Sequence, residues 1–374
     1  MDWSRYVLPQ ITGLQPYKPG ITEEKLRRET GLTDIWKFSS NEAPVGPSPR
    51  IVDAMQAALG QANRYPDIYA LLEALSQRLD VPHSCLALGN GSIDLIAALV
   101  RLFVGAQHNV VLTSHGYCAY PALIKEQQAA IRVAGHGESF GHHVDKLLSQ
   151  VDADTRMVLI DSPTNLSGAA LTSDEIRRLL EALPTHVIAV LDEAYIEYAD
   201  LAAMKAHSRL PFTYPNVVIT RTFSKAYGLA GLRVGYAVAD AGLIDWLARI
   251  RPPFPVGSVA LAAALAALND QPHIDQILQL TVTGRRSLVD GLRMSGIDVI
   301  EGHGNFVLAD FGARATYVYE GLLSHGLITR AAHAYGLPSH IRISVGSPGE
   351  IARLLETVRA LLGTQVARDL EKVV

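Results

Sequence analysis

Val217-Val218-Ile219-Thr220-Arg221-Thr222-Phe223-Ser224-Lys225-Ala226-Tyr227-Gly228-Leu229-Ala230-Gly231-Leu232-Arg233-Val234-Gly235-Tyr236-Ala237-Val238 joins two β-branched runs through a small, polar, glycine-rich loop. It reads as strand, loop, strand. Working outward, Val110-Leu112, Met157-Ile160 and Val187-Leu191 are runs of the same kind, separated by segments with helical apolar spacing such as Ile176-Leu180 and Ala122-Gln127. Short strands that alternate with helices from about residue 85 to 240 predict an α/β domain with a parallel sheet and crossover helices. At 374 residues the chain is long enough for roughly two domains. The prolines of Arg251-Pro252-Pro253-Phe254-Pro255 close a helical run and set the expected boundary. The large domain is expected over 40–252, with 1–39 and 253–374 forming a smaller α+β domain around Phe306-Leu308, Ile341-Val345 and a closing helix from Glu350 to Leu362.

Composition narrows the function classes. A net charge of -4 offers no basic surplus for nucleic acid, which points to small molecules and copies of the same chain as partners. Two cysteines, Cys85 and Cys118, cannot build a disulfide framework and read as packing residues in a reducing compartment. The start, Met1-Asp2-Trp3-Ser4-Arg5, has no basic segment followed by an apolar one, and the longest apolar run, Val256 to Leu268, falls short of the ~20 residues of a membrane span. A cytoplasmic protein is expected. Thirteen histidines show no metal-ligand spacing, so no metal is expected, and His142-His143 reads as a solvated pair.

In an open α/β sheet, ligands bind beyond the carboxyl ends of the strands. Three such ends carry Asn165, Asp192 and Lys225, which should meet in one crevice. An amine at Lys225 can form an imine with an aldehyde when it is deprotonated and free of a salt bridge; the alternative is a solvated surface lysine. The hydroxyls of Thr222 and Ser224 with the guanidinium of Arg233 suit the phosphate of pyridoxal phosphate. Gly89-Asn90-Gly91-Ser92 opens a helical pattern, and its free backbone N–H groups either hold a phosphate or simply cap the helix. Asp192 either caps the next element or keeps a pyridine nitrogen protonated, so that the ring can draw electrons from a substrate Cα. Tyr195 and Asn165 are either donors to a phenolic oxygen or a core tyrosine and a turn asparagine. Tyr117 either stacks on a ring or belongs to the core. Arg330 and Arg342 either clamp an anion or form structural salt bridges.

Taken together, these residues resemble the fold-type-I pyridoxal-phosphate aminotransferases, and within them the histidinol-phosphate aminotransferase branch. The resemblance spans nearly the whole chain. It rests on Leu14-Gln15-Pro16-Tyr17-Lys18-Pro19-Gly20, Ser40-Asn41-Glu42-Ala43-Pro44, Asn63-Arg64-Tyr65-Pro66-Asp67, Gly89 to Asp94, Ser162 to Gly168, Asp192 to Tyr198, the lysine loop, Gly304-Asn305-Phe306 and Leu337 to Gly346. It implies a large domain with a mainly parallel seven-stranded sheet between helices, plus a smaller α+β domain. It also implies that Lys225 carries the cofactor and shuttles a proton, and that Asp192 holds the pyridine nitrogen. Asn165 and Tyr195 would face the phenolic oxygen, with Tyr117 on the ring. Gly91, Ser92, Thr222, Ser224 and Arg233 would hold the phosphate. Tyr65 matches a tyrosine that reaches the neighbouring subunit's site, which implies a homodimer, and Arg342 matches the binder of the substrate anion, with Arg330 and Tyr17 as helpers.

One departure stands out: Leu166 follows Asn165 where the family has proline, in Ser162-Pro163-Thr164-Asn165-Leu166-Ser167-Gly168. The Asn165-Leu166 bond is therefore expected to be trans, because a cis bond without proline costs ~3 kcal/mol, and the aim of Asn165 is open. The resemblance implies transamination, with histidinol phosphate and 2-oxoglutarate as the favoured pair. An aromatic amino acid as donor, and decarboxylation of a phosphorylated amino acid, are the alternatives. A non-catalytic regulator that binds the cofactor is disfavoured, because the roughly forty residues before Ser40 hold no basic cluster for DNA.

Overall fold

The computed structural model describes residues 1–16 and 20–371; Tyr17, expected to help bind substrate, lies outside the described residues. After a short strand β1 (Trp36–Lys37), seven strands build the large sheet: β2 (Leu86–Gly89), β3 (Asn109–Thr113), β4 (Ala130–Ala134), β5 (Thr155–Asp161), β6 (Ile188–Asp192), β7 (Val217–Thr222) and β8 (Gly235–Val238). Their order is β2-β8-β7-β6-β5-β3-β4, all parallel except β8, which runs against both neighbours. The five runs marked in the sequence are strands here. β2 and β4 lie outside those runs.

Period-two alternation divides the sheet's side chains between two cores. Val158, Ile160, Ala189, Leu191 and Ile219 face one, with the helices Pro49–Leu59, Tyr69–Leu79 and Ser173–Ala182. Met157, Leu159, Ile188, Val190 and Val218 face the other, under the helices Ser92–Phe103 and Ala241–Ile250. The helix ends follow local chemistry. Thr172 and Glu175 form a capping box at Ser173–Ala182, and Ser48 with Pro49 starts Pro49–Leu59. Side chains such as Leu99 and Leu179 are fully buried, and truncating one to alanine costs about 2–5 kcal/mol.

The proline break ends a helix at Ile250, but it does not end the large core. The helix Ser258–Leu268, apolar on all sides, places Ala263, Ala264 and Ala267 in the first core, and Val256 and Ile274 join them. The expected boundary at 252 is therefore corrected: 256–274 pack with the large sheet, because this apolar helix buries its Ala263, Ala264 and Ala267 face in that core.

Beyond it lie β9 (Asp298–Ile300), β10 (Phe306–Asp310), β11 (Leu327–Ile328), β12 (Arg330–Ala331) and β13 (His340–Ser344). Four of these form an antiparallel sheet, β12-β13-β10-β9, and β1 pairs with β11 in parallel. Ser344 N–H donates to Phe38 O at 2.8 Å, which pins Ser39, Ser40 and Asn41 against the small sheet beside the carboxyl ends of the large one. No helix of the described residues is long and apolar enough to cross a membrane.

Candidate active site

Lys225 sits in the loop after β7, partly buried, with Nζ donating to Ser40 O at 3.0 Å and Asn41 O at 3.1 Å. Burial, reinforced by the charges of Arg342 and Arg233, lowers its pKa to about 7, against the pull of Glu42 and Asp192. A substantial fraction of this amine is therefore neutral near pH 7, as a nucleophile requires.

Asp192 closes β6 in register with Asp161 of β5 and Thr220 of β7. Alternation turns its side chain to the face of Tyr120, whose hydroxyl donates to Oδ2 at 2.9 Å, while Oδ1 is buried without a partner. Burial raises its pKa to about 7; Tyr120 works against this and Asp161 adds to it. The next residue, Glu193, points to the opposite face and takes two hydrogen bonds from Arg221, at 2.8 and 2.7 Å. Burial opposes that charge, yet Arg221 and His207 hold the carboxyl below its ordinary value. This pair ties the ends of β6 and β7 together from behind.

Asn165 follows β5. Its Nδ2 donates to the Tyr195 hydroxyl at 2.8 Å, and Asn41 Nδ2 donates to the same oxygen at 2.9 Å. Two amide donors occupy both lone pairs of the phenol, so the Tyr195 proton is left to point elsewhere. Burial pushes the Tyr195 pKa up to about 12, which keeps that proton in place. The one cis peptide among the described residues is Ser162–Pro163, so the Asn165–Leu166 bond is trans, as expected.

Gly91 precedes the helix Ser92–Phe103 with φ +82°, and a Cβ there would lie 2.4 Å from Arg233 Nη2. Gly235 lets β8 approach equally closely, since a Cβ there would lie 2.4 Å from Ser92 N. Arg233 Nη1 donates to Ser224 Oγ at 3.1 Å, and Thr222 Oγ1 to Ser224 Oγ at 2.9 Å. Helix N–H groups, two hydroxyls and a guanidinium without a carboxylate partner among the described residues make an anion cradle.

One cavity of about 140 Å³ joins Ser92, Tyr117, Asn165, Asp192, Tyr195, Thr222, Ser224, Lys225 and Arg233, with Gly91 behind Arg233. A second, of about 90 Å³, joins Lys225, Asn165 and Tyr117 to Arg330 and Arg342. Arg342 Nη1 donates to Asn165 O at 2.7 Å and Oδ1 at 2.9 Å, and Nη2 to Ser39 O at 3.0 Å, while Nε has no partner. Neither Arg330 nor Arg342 is paired with a carboxylate among the described residues, so the salt-bridge alternative falls away. Tyr65 stands apart. It is 81 % exposed, stacked on Phe254 with ring centroids 4.5 Å apart, and outside both cavities.

Sequence reading missed Asp161, Tyr120, Asn41 and Tyr335. Asp161 carried a signal, its place at a strand end, and so did Asn41, which lies in the Ser40-Asn41-Glu42 motif; Tyr120 and Tyr335 are brought in only by packing. His142 is corrected: it is a buried residue, with Nδ1 2.6 Å from Thr113 Oγ1 and Nε2 2.9 Å from Asp161 O. Adjacency to a second histidine says nothing about which face of the chain each occupies.

The site fits pyridoxal phosphate. The free Oδ1 of Asp192 matches a protonated ring nitrogen, the Gly91–Arg233 cradle matches a phosphate, and Lys225 lines the same cavity. Residues 33–358 match the aminotransferase class I and II family. A histidinol-phosphate aminotransferase of Nitrosococcus oceani is 42% identical over 94% of this chain and 95% of its own length. One from Methylococcus capsulatus is 41% identical over 94% and 96%. The solved histidinol-phosphate aminotransferase of Sinorhizobium meliloti, in complex with pyridoxal-5'-phosphate, superposes with a TM-score of 0.88 at 29% identity, covering 96% of this chain and 98% of that one. With the family match spanning most of its length and relatives above 40% identity over more than nine-tenths of it, the chain belongs to the class I and II aminotransferases.

Proposed function

We propose that this chain catalyses a two-step transamination between histidinol phosphate and 2-oxoglutarate, giving imidazole acetol phosphate and glutamate, and the reverse. The observation that carries this reading is a lysine without a carboxylate partner and a buried aspartate with one free oxygen, facing a single cavity. When bound, pyridoxal phosphate supplies an aldehyde that condenses with amines and a ring that draws electrons from the substrate Cα. Asp192, with its unbonded Oδ1, would hold the ring nitrogen, and Tyr195, whose hydroxyl already accepts from two amides, would offer its proton to the phenolic oxygen. Gly91, Ser92, Thr222, Ser224 and Arg233 hold the cofactor phosphate. Lys225 Nζ, close to neutrality in its pKa, takes and returns the proton at Cα. Arg342, with an unpaired Nε, and Arg330 receive the substrate's anionic group.

The choice of donor rests on the relatives above 40% identity and on this pair of arginines. A homodimer in the cytoplasm completes the proposal, with Tyr65, exposed on its own protomer, reaching into the neighbouring site. The test is a half-reaction screen of histidinol phosphate, phenylalanine, tyrosine and glutamate, read by cofactor absorbance. Fast reaction with histidinol phosphate is expected. Inactivity with it beside fast reaction with phenylalanine overturns the donor assignment.

A further inference from the structure

Asp161 is buried and lines the cofactor cavity, in register with Asp192. Its Oδ2 accepts the Asn165 N–H at 2.7 Å, closing a side-chain-capped turn over the loop that follows β5. Its other oxygen has no hydrogen bond and lies 3.4 Å from His142 Nε2. His142 donates from Nε2 to the Asp161 carbonyl, which can only accept, so this nitrogen carries the proton, and Thr113 Oγ1 meets the other ring nitrogen. Asp161 is thus clamped from the β3 side.

The other anchors of Asn165 behave differently. Its carbonyl and Oδ1 are held by Arg342, and Oδ1 also by the Tyr335 hydroxyl at 2.5 Å, both from the small domain and both beside the cavity that receives the substrate anion. Those groups must also answer to substrate. Among the described residues, Asp161 is the hydrogen-bond partner of the Asn165 backbone N–H, and it holds that backbone to the end of β5 in a loop where Leu166 stands in place of a conformationally restricting proline. We propose that Asp161 is a positioning residue: its carboxylate fixes the Asn165 backbone and so aims the Asn165 amide at Tyr195 and the phenolic side of the cofactor, with His142 bracing it.

This inference rests on the cofactor reading above, and its test separates the two. Asp161→Ala removes the acceptor, whereas Asp161→Asn keeps a side-chain carbonyl in the same place. In cofactor-free protein, hydrogen exchange at the Asn165 amide is expected to be slow in wild type and Asp161→Asn and about 10-fold or more faster in Asp161→Ala. In the loaded protein, the pH titration of cofactor absorbance should move upward by about one unit in Asp161→Ala, and by the same amount in Asn165→Ala and in the double variant, since residues acting through one another do not add. Additive shifts, or an Asp161→Asn protein that behaves like Asp161→Ala, overturn the proposal. If Asp161→Ala does not fold, fast exchange of the Asn165 amide in wild type alone overturns it. Failure of wild type to bind pyridoxal phosphate sinks the cofactor reading and leaves the exchange result standing.

Discussion

Replacing Asp192 with asparagine should stabilise the cofactor-free protein at pH 8 while removing most of its catalysis. The side chain is 6% exposed, with one oxygen bonded to Tyr120 and the other to nothing. Burial, aided by Asp161, lifts its pKa from 3.8 to about 7. A carboxyl whose folded pKa exceeds its unfolded value holds its proton more tightly when folded. Its stabilising contribution is present below about pH 4 and is lost as the pH rises through about 7. Roughly three pH units at about 1.4 kcal/mol each come to about 4 kcal/mol lost by pH 8. Asparagine escapes this ionisation but buries an amide with imperfect partners, at about 1–2 kcal/mol. A net gain of about 2–3 kcal/mol at pH 8 remains, shrinking towards zero at pH 5. Urea unfolding of both cofactor-free proteins at the two pH values measures it. Glu197 also titrates near neutrality but is common to both proteins and cancels, and Lys225, whose pKa Asp192 helps to raise, contributes little to the difference because it is mostly neutral at pH 8 and faces a protonated Asp192 at pH 5. Turnover of the loaded variant should fall ~100-fold or more, because the ring nitrogen loses its anionic partner. Equal stability at pH 8, or a difference that does not change with pH, refutes the reasoning.

Three further outcomes are expected. Gly91→Ala places a methyl where Arg233 Nη2 now lies and forces a side chain into φ +82°, so cofactor affinity measured by equilibrium dialysis should fall about 10-fold; an unchanged value refutes the cradle. Arg342→Lys keeps the charge but loses the fork that meets Asn165 and Ser39, and KM for histidinol phosphate should rise about 10-fold in steady-state kinetics, with a change below twofold counting against the role. Mixing a Lys225→Ala protein with a Tyr65→Ala protein should restore activity above either alone, because a hybrid dimer contains one site with both residues intact; no gain after proven subunit exchange counts against Tyr65 acting in trans.

Much of the site was legible in the sequence for a geometric reason. Asn165, Asp192 and Lys225 each end or follow a β-branched run, and parallel neighbours must deliver such residues to the same edge of the sheet. The edge strand β4 was harder to see because Ala130–Ala134 is partly exposed and lacks a sustained apolar run. The strand β8 was legible as a strand, but its reversed direction was not, since direction depends on the path of the lysine loop that joins it to β7. The proline cluster misled because prolines stop a helix without saying which core the next helix joins.

Local pattern determined the element types, the lysine loop, the glycine turn before Ser92 and the cofactor class, because these depend on residue chemistry at short range. Tertiary structure alone decided the electrostatics. The free oxygen of Asp192, the lowered pKa of Lys225, the bracing of Asp161 by His142 and the two amides on Tyr195 all come from groups distant in the chain. Desolvation and hydrogen-bond partnership are properties of the packed surroundings, and a residue's neighbours in sequence do not supply them.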